Sequence, residues 1–171
     1  MSNAGSGFMR RVDLPAEIAG KLWLGPMPGR LRSLADDLAD LQRQGIARVI
    51  CLTPSDEIRL KSPDYAARQG DLGIPVTSFP IGDFGVPEDG GGLKTLAQEA
   101  ARDLKAGTAL FVHCAAGIGR TGMVATCILV ALGLSGDAAI SAIAAAGSGP
   151  ETDIQKRLVA RYAEEALNSG R

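Results

Sequence analysis

One segment constrains this chain more than any other. Residues 108–113 are a compact apolar run that stops at a cysteine, and the ten residues from His113 then read His113-Cys114-Ala115-Ala116-Gly117-Ile118-Gly119-Arg120-Thr121-Gly122 before a long apolar stretch begins. A short apolar run bounded by turn residues is a buried strand, and the stretch over 119–132, closed by Gly133, is a helix. A strand that hands its chain straight to a helix calls for a parallel sheet with helical cover, and it places the connecting loop at the carboxyl edge, where such sheets carry their sites.

The rest of the sequence repeats that theme. A strand is expected over 21–24, ended by Gly25, Pro26, Pro28 and Gly29. A helix follows, capped by Ser33 and closed by Gly45, with Leu34, Leu38 and Leu41 at helical spacing. Further strands are expected over 46–52 and 74–79, a charged helix broken by Pro63 over 56–69, and a loop over 80–92. Helices then span 93–107, 137–146 and 152–167, the last with Ile154, Leu158 and Tyr162 on one face. The fold class is α/β: one domain over 8–171 with a mainly parallel central sheet flanked by helices. Residues 1–7 are small and polar, resemble the remnant of an expression tag, and are expected to form a disordered tail.

Composition removes several functions. The formal net charge of −1 gives no broad basic field for nucleic acid or an anionic membrane. No apolar run reaches the ~20 residues that a membrane helix needs. Three irregularly spaced cysteines and one histidine make neither a disulfide framework nor a four-ligand zinc site, so no metal is expected, and free thiols fit the cytoplasm. The oligomeric state stays open.

The chemistry concentrates in the loop. Wrapping into a helix N-terminus aims backbone N–H groups of Ala115, Ala116, Gly117, Ile118 and Gly119 at one point, and the helix dipole adds positive potential there, which makes an anion site. The same field favours a thiolate at Cys114, because cysteines at helix N-termini and near cations fall from ~8.5 to roughly 3.5–7.5. Arg120 supplies a planar fork for two phosphate oxygens. Thr121 can donate its hydroxyl to the sulfur. His113, adjacent to Cys114 on a strand and therefore pointing elsewhere, is a poor base for that thiol and reads as a structural residue that fixes the loop. The plain alternative is a buried cysteine before an ordinary capped helix.

The run resembles the signature of the protein tyrosine phosphatase superfamily: His-Cys, five residues, Arg, then Ser or Thr. It is nearest to His-Cys-Ser-Ala-Gly-Ile-Gly-Arg-Thr-Gly, with Ala115 as the single departure. Chain size, and Val49-Ile50-Cys51-Leu52-Thr53 followed by Glu57, resemble the compact dual-specificity, kinase-associated-phosphatase-like group. The resemblance implies a phosphatase fold over about 21–167, a phosphocysteine intermediate and no cofactor.

A leaving alkoxide or phenoxide needs a proton, and Asp83 in Asp83-Phe84-Gly85-Val86-Pro87 resembles the family's general acid, although the family's Trp is absent. Asp83 could instead simply make a turn, with Glu88 and Asp89 as substitutes. Gly90, Gly91 and Gly92 could give the loop its flexibility. Gln155 resembles the residue that orients the hydrolytic water, while Thr152-x-x-Gln155 also reads as a capping box. The expected substrate is a phosphorylated protein or peptide. A phosphoinositide or other small phosphate is the alternative within the same chemistry, and a catalytically dead phosphate-binding module the alternative outside it. Cys51, near the carboxyl end of its strand, is the candidate redox partner of Cys114, a pairing that compact relatives also suggest, whereas Cys127 inside a helix is inert.

Overall fold

Along each central strand the apolar side chains divide between two faces. Leu22, Leu24, Ile50, Leu52, Leu110 and Val112 join one core, whereas Trp23, Val49, Cys51 and Phe111 join another. That is the period-two projection of strands buried on both sides, and it demands a helical layer on each face.

The computed structural model describes residues 7–170, so the tail assigned to 1–7 lies, except for Gly7, outside the described residues. The chain runs β1 (Arg10–Arg11), β2 (Lys21–Gly25), α1 (Leu34–Arg43), β3 (Arg48–Cys51), α2 (Ser55–Lys61), α3 (Pro63–Arg68), β4 (Val76–Ser78), α4 (Gly90–Lys105), β5 (Ala109–His113), α5 (Gly119–Ala131), α6 (Gly136–Ala145) and α7 (Asp153–Asn168). Residues of α1, α2 and α3 pack with the Trp23 core. Those of α4, α5, α6 and α7 pack with the Leu22 core.

The sheet order is β1-β2-β5-β3-β4, parallel throughout except for β1, which pairs antiparallel with β2. The sheet is therefore mostly parallel but mixed. Sequence pattern misses β1 because its two arginines carry no apolar alternation. Strand β5 lies at the centre, with His113 in register with Gly25 on one side and Cys51 on the other. The loop after His113 thus leaves the middle of the carboxyl edge.

Helix α5 is apolar on nearly every side and is buried among α4, α6 and α7. Gly122 lets it approach so closely that a Cβ there would fall 2.2 Å from the Gly149 nitrogen. Helix α1 starts at its expected cap, Ser33 accepting from the Asp36 N–H. Helix α4 starts earlier than periodicity suggests. Gly90, Gly91 and Gly92 form its first turn rather than a flexible part of the loop, and the missing Cβ of Gly92 makes room for the Asp89 carboxylate, which would otherwise lie 2.7 Å away.

Candidate active site

The loop's carbonyls face outward, and each of four has a donor waiting for it. His113 Nδ1 donates to the Cys114 carbonyl at 3.0 Å. The Met27 N–H, at 3.1 Å, and Arg30, at 3.3 Å, take the Ala115 carbonyl. Arg10 Nη2 and the Ser148 hydroxyl both reach the Gly117 carbonyl at 2.6 Å. The N–H groups of Gly122, at 2.7 Å, and Gly149, at 3.2 Å, take the Ile118 carbonyl. A planar trans peptide whose carbonyl is held on one side turns the following N–H to the other. The outer bonds therefore aim the N–H groups of Ala115, Ala116, Ile118 and Gly119 into the loop, as an anion site requires. The Gly117 N–H already donates to Cys114 Sγ at 3.3 Å. Gly117 has φ +77°, and a Cβ there would lie 2.3 Å from the Gly25 carbonyl oxygen, so only glycine fits.

His113 meets the loop through Nδ1. Its other nitrogen, Nε2, pairs with the Tyr65 hydroxyl at 2.8 Å. Burial, reinforced by neighbouring Cys51, pushes the Tyr65 phenol well above its usual range, so the hydroxyl keeps its proton.

Arg120, in the first turn of α5, is only 2% exposed. Its guanidinium grips both oxygens of Glu57, with Nη1 at 2.8 Å and Nη2 at 2.9 Å, while Nη1 also donates to the Ile81 carbonyl at 2.9 Å. Asp83 Oδ1 lies 3.2 Å from Nη2. Burial acts to lower the Arg120 pKa, yet the Glu57 bonds and the charges of Cys114 and Asp83 prevail and raise it. Glu57 in turn is held down to about 2, chiefly by its hydrogen bonds to Arg120 and against the opposing effect of burial, with Lys61 assisting from 2.8 Å. The sequence marks Glu57 only through the family resemblance and gives it no role at the site, since one acid in a charged helix does not reveal a partner 63 residues away.

The acid loop is tied down at both ends. The Ile81 N–H donates to the Leu52 carbonyl at 2.9 Å, and at the far side Thr152 Oγ1 reaches the Phe84 carbonyl at 3.2 Å while Gln155 Nε2 reaches that of Gly85 at 3.0 Å. Phe84 adopts φ +60°, a conformation rare for a side chain of its size, and stands exposed at the tip. Asp83, with half its side chain exposed, is the carboxylate of the loop that meets Arg120; Asp89 instead sits at the head of α4. Gln155 is buried and does two jobs. Its Oε1 completes the capping box by accepting the Thr152 N–H at 3.4 Å and also accepts the Glu151 N–H at 2.8 Å, while its amide nitrogen anchors the acid loop.

One expectation changes. Thr121 is fully buried, but its hydroxyl has no hydrogen-bond partner among the described residues, so the bond to the Cys114 sulfur is not made and Gly117 is the donor instead. Cys51 lies one strand away in register with His113, and spacings of ~4.8 Å between strands and ~3.3 Å along them put its Cα about 6 Å from that of Cys114. The two thiols nevertheless belong to cores on opposite faces of the sheet, and both are free. Burial acts to raise the Cys51 pKa, but the charge and hydrogen bond of His113, a backbone hydrogen bond at Thr53 and the Gln69 amide lower it overall. Burial alone pushes Cys127 up to about 12. Among the described residues no group of His, Cys, Asp or Glu is placed to hold a metal ion, and no helix is long and apolar enough to cross a membrane.

Residues 27–166 match the family model described as Swiss Army Knife protein, DSP-PTPase phosphatase domain. A rat protein, cyclin-dependent kinase inhibitor 3 (Rattus norvegicus), is 30% identical over 102 residues, which cover 59% of this chain and 48% of that protein. The chain thus spans about half the length of the curated relative it matches. Among solved structures, kinase associated phosphatase with its catalytic-site cysteine substituted by serine superposes with a TM-score of 0.82 at 21% identity, covering 96% of this chain and 98% of that one. PTPMT1 in complex with PI(5)P gives a TM-score of 0.75 at 20% identity over 96% and 99%. Human DUSP28 gives 0.66 at 20% identity over 92% and 95%.

Proposed function

The chain belongs to the DSP-PTPase phosphatase domain family, and from that membership we propose that it hydrolyses phosphomonoesters of protein tyrosine, and of serine or threonine, through a phosphocysteine. In the first step the Cys114 thiolate attacks phosphorus and the ester P–O bond breaks, while Asp83 gives its proton to the departing oxygen. In the second, water attacks phosphorus, the S–P bond breaks, Asp83 takes the water proton and the thiolate is restored. Arg120 holds two phosphoryl oxygens and the loop N–H groups hold the rest. Gln155, fastened to the acid loop, is assigned to aligning the water.

The observation that carries this proposal is the 3.2 Å contact between Asp83 and Arg120, whose guanidinium also feels the Cys114 charge, so that the proposed acid, clamp and nucleophile are neighbours. A dead binding module has no use for an acid at that position. The exposed side chains of Phe84 and Ile118 on the acid and phosphate loops favour a phenyl ring over a bare sugar phosphate. A lipid substrate ranks second, supported by Arg30 against the Ala115 carbonyl and Lys61 on Glu57, two cations that a polyphosphate could recruit. The thiol mechanism needs Cys114 reduced, and three free cysteines agree with a cytoplasmic setting. Phosphotyrosine, phosphoserine and phosphothreonine peptides assayed beside phosphoinositides test the proposal. Higher kcat/KM on a lipid would overturn the protein substrate, and no turnover of any ester, with phosphate still bound, would favour the binding module.

A further inference from the structure

Arg10 lies ahead of residues 27–166 and belongs to no motif, yet it is among the most heavily used side chains around the phosphate loop. Strand β1 pairs Arg10 with Leu24, next to the Gly25 end of β2 that abuts the loop. From there the guanidinium reaches over the end of α6. Nη1 donates to the Ala146 carbonyl at 2.5 Å and to Ser148 Oγ at 2.9 Å, and Nη2 to the Gly117 carbonyl at 2.6 Å. The Ser148 hydroxyl donates to that same Gly117 carbonyl at 2.6 Å. The seat is shaped for the arginine, because Gly147 takes φ +83° and a Cβ there would stand 2.7 Å from Nη1.

We infer that Arg10 is a positioning residue of the active site, which locks the Gly117–Ile118 peptide so that its N–H faces the phosphate and which lends the loop a second, non-contacting positive charge. A half-buried cation costs desolvation energy, and burial indeed lowers the Arg10 pKa. The partially opposing influence is the Cys114 charge, so the guanidinium and the nucleophile feel each other through the loop. An arginine wanted only to tie β1 to α6 would need the Ala146 and Ser148 contacts and not the one to Gly117.

The inference rests on the phosphate-loop function proposed above, so its test reads anion binding as well as turnover. Affinity for inorganic phosphate and tungstate is measured by calorimetry for wild type, Arg10→Met and Arg10→Lys, with KM and kcat on an aryl phosphate, at a temperature where circular dichroism shows all three folded. A charge-assisted hydrogen bond lost from the loop predicts about a tenfold or greater weakening of both anions in Arg10→Met, a fall in kcat beyond any rise in KM, and partial recovery in Arg10→Lys. A folded Arg10→Met with anion affinity and kcat within twofold of wild type would overturn the inference. Should Arg10→Met not fold, Gly147→Ala, shown folded by circular dichroism at the same temperature, carries the test, since its methyl would stand 2.7 Å from Nη1 and push the guanidinium from its seat; weakened anion binding supports the inference and unchanged binding overturns it. A wild type that binds tungstate but turns nothing over would sink the phosphatase activity and leave the role of Arg10 to be judged on binding alone.

Discussion

Replacing Glu57 with Gln should cost stability at neutral pH and almost none of that charge-dependent part in acid. The substitution keeps an oxygen to accept from Arg120 and removes the charge. In the folded chain Glu57 titrates near 2 against an ordinary 4.5, chiefly because Arg120 binds both of its oxygens. A folded-state pKa below the unfolded one adds stability that is complete above the unfolded value and is lost as pH falls through the folded one. At 1.36 kcal/mol per pH unit that gap has a ceiling of about 3 kcal/mol, and residual solvent access at Glu57 trims it to about 2 kcal/mol. The buried Arg120 left short of a partner adds a further penalty that does not vary with pH over this range. Urea unfolding followed through the single buried tryptophan, Trp23, at pH 6, 5, 4 and 3 gives the two stability curves. The gap between wild type and Glu57→Gln should shrink by more than half its charge-dependent part between pH 6 and pH 3. A gap that stays constant with pH, or that is under about 0.5 kcal/mol at pH 6, would refute the account of Glu57 as the counter-ion that holds Arg120 in place.

Cys114→Ser should fold, bind tungstate and lose turnover; measurable steady-state phosphate release by that variant would remove Cys114 from the mechanism. In Asp83→Asn, kcat should fall by about a hundredfold on phenyl or alkyl phosphates and much less on esters with good leaving groups, because only poor ones need the proton. An equal loss across leaving groups would take the acid role from Asp83. Mild peroxide should inactivate wild type reversibly through a Cys51–Cys114 bond, which the ~6 Å Cα spacing allows once the Cys114 side chain swings toward the other face. Cys51→Ala should then lose activity irreversibly, and equal recovery of both proteins by thiol, with no linked peptide on mapping, would exclude the pair.

What could be read from the sequence divides by range. The His113–Gly122 loop is one contiguous piece, so its strand, its glycines and its helix start lie within a few residues of one another. Helices α1 and α7 likewise announce themselves by caps and a four-residue stripe. The failures sit where distant segments meet. Arg10 and Gly117 are 107 residues apart, and Arg120 and Glu57 are 63 apart. Only the sheet order, with β5 inserted between β2 and β3, brings them together. Gly90 to Gly92 mislead for a related reason: helix propensity alone makes them a hinge, yet they form the first turn of α4, with the Leu93 N–H returning to the Asp89 carbonyl at 3.2 Å. Gln155 shows that two readings of one local pattern need not compete, because its oxygen caps α7 while its nitrogen holds Gly85.

The signature points to the atoms proposed to bind phosphate but not to what keeps them aimed at one point. Several N–H groups converging on one spot repel one another, and a free loop would relieve that by rotating its peptides. Here rotation would break an outer bond. Turning the Ala115–Ala116 peptide abandons Met27 and Arg30, and turning Gly117–Ile118 abandons Arg10 and Ser148. Buried carbonyls cannot be left without donors cheaply, at about 1–3 kcal/mol each, so every outer partner is also a restraint on an inner donor. Preorganisation of the proposed anion site is therefore a property of β1, the turn after β2, His113, and the segment between α6 and α7, which together surround a loop of five residues.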